Sequence, residues 1–203
     1  MENLSTYLKK YKKYFYILVF VIFVISIISS YNKIVKLNQE TDLAWSQVEN
    51  VYQRRGDLIP NLVEVVKGYA EHEKSTLEGV ISARAKATSI TVNANDAASL
   101  AEYNKAQTGV SQALGRLMVV SEQYPNLKAD ENYKQLMIEL AGTENRISTE
   151  RRSFNKAAIN YNNAILVFPK NIIARVFGFN PRAYFKADAD SKTAPKIKMT
   201  SNN

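Results

Sequence analysis

The apolar positions of this chain fall into one solid block followed by several periodic ones, and the two kinds of pattern predict different elements. From Tyr14 to Asn32 nineteen residues run without a charge. At the helical rise they reach roughly 28 Å, the thickness of a bilayer core. A cleaved leader would have a shorter apolar run and small residues at its end. Here Ile27, Ile28, Ser29 and Ser30 lead straight into a helical pattern. A buried core helix would rarely go so long without a polar face. A single transmembrane helix over 14–32 is therefore expected.

Beyond it the apolar residues recur at heptad spacing. Ile34, Thr41, Val48, Leu62 and Tyr69 lie in one register, with Arg55 in the remaining slot, and Leu37, Ala44, Val51, Leu58 and Val65 form the row beside it. The phase passes Gly56 and Pro60 unbroken, which predicts one kinked helix rather than two. Leu77, Val80, Ile81 and Arg84 mark a shorter helix. Asn93 to Asp96 supply a turn and a cap, and Tyr103, Val110, Leu117 and Tyr124, beside Leu100, Gln107, Leu114 and Ser121, mark a third helix ending at Pro125. Asp130 is placed to cap a last helix in which Tyr133, Leu140, Ile147, Phe154, Tyr161 and Phe168 are seven apart, up to Pro169. The expected fold is all-α: one N-terminal transmembrane helix, then an antiparallel bundle of about four long helices.

Composition agrees, with seven Gly and five Pro in 203 residues and no Cys, so disulfides, thiol chemistry and thiolate metal sites are excluded. The net charge of +8 invites a nucleic-acid reading until it is divided. Residues 1–13 carry four Lys against Glu2, and residues 169–203 carry seven basic residues against Asp188 and Asp190. Residues 33–168 hold sixteen of each sign. A neutral body with basic ends fits segments near lipid headgroups or solvated tails, and no nucleic acid. The expected division is a basic stub (1–13), the span (14–32), the bundle (33–168), an apolar and basic segment (169–186) and a disordered tail (187–203).

Lys9, Lys10, Lys12 and Lys13 precede the span, and only Lys33 and Lys36 closely follow it. This predicts a cytoplasmic N-terminus and an extracytoplasmic body.

Candidate chemistry is sparse. His72 stands alone between Glu71 and Glu73, without the spacing or second His of a metal site. Arg55-Gly56-Asp57 lies within a predicted helix, and neither a phosphate-cradling glycine loop nor a nucleophile elbow is present. No catalytic residue, cofactor or metal is expected. Two groups remain. Arg55, Glu144, Glu150 and Arg151 interrupt or flank the seams, as a register-fixing ionic layer or as a ligand site within the bundle. Ile172, Ile173, Arg175, Phe177, Phe179 and Arg182 have the composition of a membrane-interface segment, unless they pack under the bundle.

The chain resembles the LemA family of bacterial membrane proteins. The resemblance rests on Tyr31-Asn32, Trp45, the run from Arg54 through Pro60 to Leu62, and Val66 to Ala70 with His72-Glu73. It continues through Arg84, Tyr124 to Lys128, Glu144 to Ile147, Arg151-Arg152, Tyr161-Asn162 and Phe168-Pro169. It covers about residues 31–185, departing at Phe154-Asn155, where the family favours Tyr-Asn. The resemblance implies a membrane-anchored helical bundle of the bacterial cell envelope and supplies no catalytic residue. The expected function is a scaffold or interaction protein of the inner membrane, with the bilayer as partner, homo-oligomers as a further expectation and the protein partner unknown. The alternative is a ligand-binding or hydrolytic envelope protein that uses the charged cluster.

Overall fold

A computed structural model describes residues 2–186, so the tail expected at 187–203 lies outside the described residues. Six helices form, with no strand among the described residues: α1 (Glu2–Tyr69), α2 (Lys74–Ser89), α3 (Ala97–Ser121), α4 (Pro125–Ala129), α5 (Glu131–Leu166) and α6 (Lys170–Val176). The apolar block and the first bundle seam are one helix of 68 residues, about 100 Å long at the helical rise. Among the described residues only α1 is long and apolar enough to cross a membrane, and its most apolar stretch has no buried residue. A core helix would be covered there.

Pro60 sits inside α1 without breaking it, because a side chain replaces what the proline removes. A residue at 60 with an N–H would donate to the carbonyl of Gly56, and proline has none. Arg84 on α2 donates its Nε–H to that Gly56 oxygen at 2.6 Å. The absence of a side chain at Gly56 lets α2 come close, with the Thr88 methyl 3.8 Å from where a Cβ would stand.

The helices run alternately up and down. Helix α5 returns along α1, bringing Tyr69 against Asp130, Arg55 against Glu144 and Ile34 into one cluster with Ile165. Helices α2 and α3 pair with each other, and α2 lies on α1. Tyr124 donates to Glu73 at 3.2 Å and ties the top of α3 to the α1–α2 turn. Caps set the starts: Asp96 accepts from the amides of Ala98 and Ser99, and Asp130 from that of Tyr133. The seam where α3 faces α5 and α1 is lined by polar side chains, among them Arg55, Gln107, Ser111 and Glu144.

The core has three parts. Aliphatic residues, among them Ile59, Leu62, Val66, Val80, Val110 and Leu117, fill the end far from the apolar block. An aromatic cluster around Phe154 occupies the middle, and Ile34, Tyr161, Ile165 and Ala174 close the end nearest the block. The register Ile34, Thr41, Val48, Arg55, Leu62 is buried as expected, but Tyr69 at its end is 44% exposed. The row beside it is only half-buried; Tyr52, Ile59, Val66 and Ala70 go inside instead. Along α5 the register is buried from Tyr133 through Tyr161 and fails at Phe168, which lies past the helix end and is 75% exposed.

Candidate functional site

The two residue groups singled out from sequence occupy two different places, the polar seam between α1, α3 and α5 and the end of the bundle beside the apolar block. Arg55 reaches the seam from α1 and is 2% exposed. A buried guanidinium needs acceptors for its N–H groups, and here it finds them on both neighbouring helices. One nitrogen donates to Ser111 Oγ at 2.9 Å and to Glu144 Oε2 at 2.8 Å; the other donates to the Gln107 carbonyl at 3.1 Å and to the Gln107 side chain. The Tyr52 ring lies under the guanidinium at 5.1 Å.

The Glu144 side chain is 54% exposed, so the pair spans the boundary between core and solvent and keeps Glu144 hydrated. That lessens the desolvation penalty a fully buried ion pair would carry. Arg151, two turns further along α5, lies over the Phe185 ring at 4.6 Å and lowers the proton affinity of the Tyr52 phenol. Burial outweighs that effect and raises the Tyr52 pKa. The neighbouring Tyr103 phenol is pushed up to about 12, chiefly by desolvation. Glu150 is half-buried and makes no ion pair among the described residues.

Asn104, Gln107, Thr108 and Ser111 form the α3 wall of this seam. Their three-and-four spacing was readable as a polar stripe facing inward, of which the heptad count caught only Gln107. Together with Tyr52, Arg55, Glu144 and Arg151 they line a half-open cavity of about 210 Å³. A groove of about 390 Å³, bordered by Arg151, Arg152, Asn155 and Lys186, adjoins it. No cluster of metal-ligating side chains is found among the described residues, and His72 is exposed at the α1–α2 turn. Arg55-Gly56-Asp57 lies within α1 with its arginine buried, so the tripeptide is not displayed as a loop.

The C-terminal segment divides. Beyond α6, Gly178 adopts a left-handed φ of 74°, and the chain turns back along the bundle. Two asparagines of α5 hold it. Asn162 donates to the Arg182 carbonyl at 2.9 Å and accepts from the Arg182 amide at 2.8 Å; Asn155 makes the same pair with Phe185, at 2.9 Å each. Two helical turns between the asparagines cover roughly 10.5 Å. Three residues of extended chain cover about 10 Å, which is why the clamps fit. Phe185 is thereby seated against Trp45 and Phe154, at ring distances of 6.0 and 5.7 Å. The phenylalanine at 154 is wholly enclosed by this cluster.

Of the six residues expected at a membrane interface, Ile173 and Phe179 pack toward Ile34 and Tyr31. Arg182 pairs with Asp42 at 2.7 Å and Asn38 at 2.8 Å. Ile172, Arg175 and Phe177 are exposed.

A model of the LemA family matches residues 44–199. Magnetosome protein MamQ 1 of Paramagnetospirillum magneticum is 31% identical, covering 77% of this chain and 64% of its own length. Magnetosome protein MamQ of Magnetospirillum gryphiswaldense is 29% identical over 76% of this chain and 64% of its own. Protein LemA of Metamycoplasma hominis is 28% identical over 85% and 76%. The chain thus spans a little under two thirds of the length of the MamQ proteins.

Proposed function

The chain belongs to the LemA family, and on that premise we propose that it is a non-enzymatic scaffold of the bacterial inner membrane that works by protein contacts, including contacts with its own copies. The observation that carries this reading is the continuity of α1. Anchor and first bundle helix are one element, so the span sets the direction of the whole body instead of tethering it loosely. In this reading residues 14–32 are the span, 33–168 the bundle, and 169–186 belong to its membrane-facing end. The N-terminus is cytoplasmic and the body extracytoplasmic, following the lysine excess ahead of the span. The MamQ relatives are named as magnetosome proteins, and carried to this chain that likeness favours work on membranes over work in solution.

The Arg55 and Glu144 pair acts in register rather than catalysis, because the guanidinium is already occupied by acceptors of its own chain. Crosslinking with mass spectrometry in native membranes tests the scaffold. Links between copies or to a recurrent partner are expected, and a monomer linked to nothing contradicts the reading.

A second reading has one observation of its own: the α3–α5 seam opens through the cavity to a groove bordered by Arg151, Arg152 and Lys186, with the Glu144 carboxylate where the two meet. Such a groove suits a small anion. Phosphorus-31 line broadening of inorganic phosphate and saturation transfer to the methyl protons of acetate, with the protein in detergent micelles, decide it. Broadening and transfer lost in Arg151→Ala support the reading, and the absence of both removes it.

A further inference from the structure

Two independent features meet where the bundle approaches its span. The first is an apolar ledge. Helix α5 ends at Leu166, and the turn into α6 leaves Leu166, Val167, Phe168, Ile172, Val176 and Phe177 uncovered, Phe168 at 75% and Val176 at 73% exposure. The ledge is held at a fixed height. The Phe177 ring lies 4.8 Å from that of Tyr31, and Ala174 packs with Ile34. Tyr31 is the last aromatic residue of the uncharged stretch of α1, which ends at Asn32, so the ledge is continuous with the exposed apolar surface of the span.

The second feature is charge. No acidic residue occurs between residues 3 and 39 or between 151 and 187. Of these stretches, the antiparallel pairing of α1 and α5 brings residues 31–39 and 161–179 together at this end. All sixteen acidic residues of the bundle region therefore lie at Glu40 or further from the span. Lys33, Lys36 and Arg175 are exposed around the ledge, with Lys170 half-buried beside them. Apolar side chains ringed by cations without acids are the pattern of a surface seated in an anionic lipid boundary.

We infer that the α5–α6 elbow is a second membrane contact, dipping its apolar side chains into the leaflet from which α1 emerges while the surrounding lysines and Arg175 meet anionic headgroups. This rests on the reading of α1 as a span. With two contacts the body is braced against the bilayer, and rotation of the bundle about the α1 axis is restrained.

The chain contains no Cys, so single-cysteine variants label cleanly. Spin labels are placed by Phe168→Cys and Val176→Cys in the full-length protein, reconstituted in vesicles of phosphatidylethanolamine and phosphatidylglycerol. Ile22→Cys reports the span. Met118→Cys reports the exposed far end of α3, roughly 45 Å from Tyr31 along the bundle at the helical rise. Collision with oxygen, which concentrates in lipid, is compared with collision with a nickel chelate, which stays in water. The oxygen-to-nickel ratio at 168 and 176 is expected several-fold above that at 118, approaching that at 22. Ratios equal to that at 118 overturn the inference while leaving the anchor intact. Low access to both agents with broadening between labels would mean a second copy covers the ledge, and also overturns it. A water-exposed label at 22 removes the anchor reading and the ledge with it.

Discussion

Above Arg55 and below it, the bundle is held together in different ways. The upper half has four helices and an aliphatic core, with Leu62, Val66, Val80, Val110 and Leu117 contributed from α1, α2 and α3. The lower half has α1 and α5 along its length and only the first turns of α3, which begins near the level of Trp45 and contributes Leu100 and Tyr103. Nearest the span α1 and α5 are the only long helices, and the returning segment 177–185 supplies a further side, fixed by asparagine clamps and by aromatic rings. The upper half can therefore tolerate aliphatic exchange of similar volume, whereas the lower half depends on a few large side chains and on one stretch of extended backbone.

Phe154→Ala should separate the halves most clearly. It removes a fully enclosed ring that Trp45 and Phe185 contact, and the expected loss is roughly 3–5 kcal/mol in denaturant unfolding. Hydrogen exchange should rise in residues 34–52 and 154–185 before it rises in α2. Equal loosening of both halves would show that they are one cooperative unit. Arg84→Ala acts on the upper half alone. It leaves the buried Gly56 carbonyl without the donor that replaces the missing proline amide, at a cost of about 1–3 kcal/mol. Pro60→Ala in the same background should restore most of it by returning the helical N–H; no restoration would mean that Arg84 acts elsewhere.

The smallest expected effect is on pH dependence at the boundary. The Tyr103 phenol titrates at about 12 in the fold against 10.0 for an ordinary tyrosine. Its folded pKa is the higher, so its contribution is complete below about pH 10 and is lost as pH rises toward 12. Circular dichroism of Tyr103→Phe should show a shallower alkaline decline than the parent. Asp130 has the opposite sign. Its carboxylate is held below the usual range by the Tyr133 amide and the Tyr69 hydroxyl, so its contribution is lost as pH falls through its folded pKa.

The last helix was readable from its heptads because α5 faces chiefly one partner, α1, along its length. Helix α1 faces α5 on one side and α2 on another, so its buried face is wider and follows the 3.6-residue helix. Tyr52 and Ala70 are eighteen and thirty-six residues from Ile34, five and ten whole turns, which a seven-residue count does not reach. Phe168 misled for a simpler reason: the helix stops at Leu166, and periodicity has no meaning beyond it. At the candidate sites, Arg55 was legible as a charge in an apolar slot, and its partner Glu144 as a charge flanking the last seam. The Gln107 and Ser111 contacts, and the Asn155 and Asn162 clamps, depend on backbone brought from 20 to 56 residues away, and no local pattern encodes that.

The central claim is that the span and the first bundle helix are one rigid element. Double electron–electron resonance between labels at Ile25→Cys and Leu43→Cys, two exposed sites eighteen residues apart on one face of α1, tests it in lipid vesicles. At the helical rise their backbones are roughly 27 Å apart, and a single narrow distribution near that separation is the predicted result. A broad distribution, or one shifted to shorter distances, would place a hinge near Tyr31 and contradict the account.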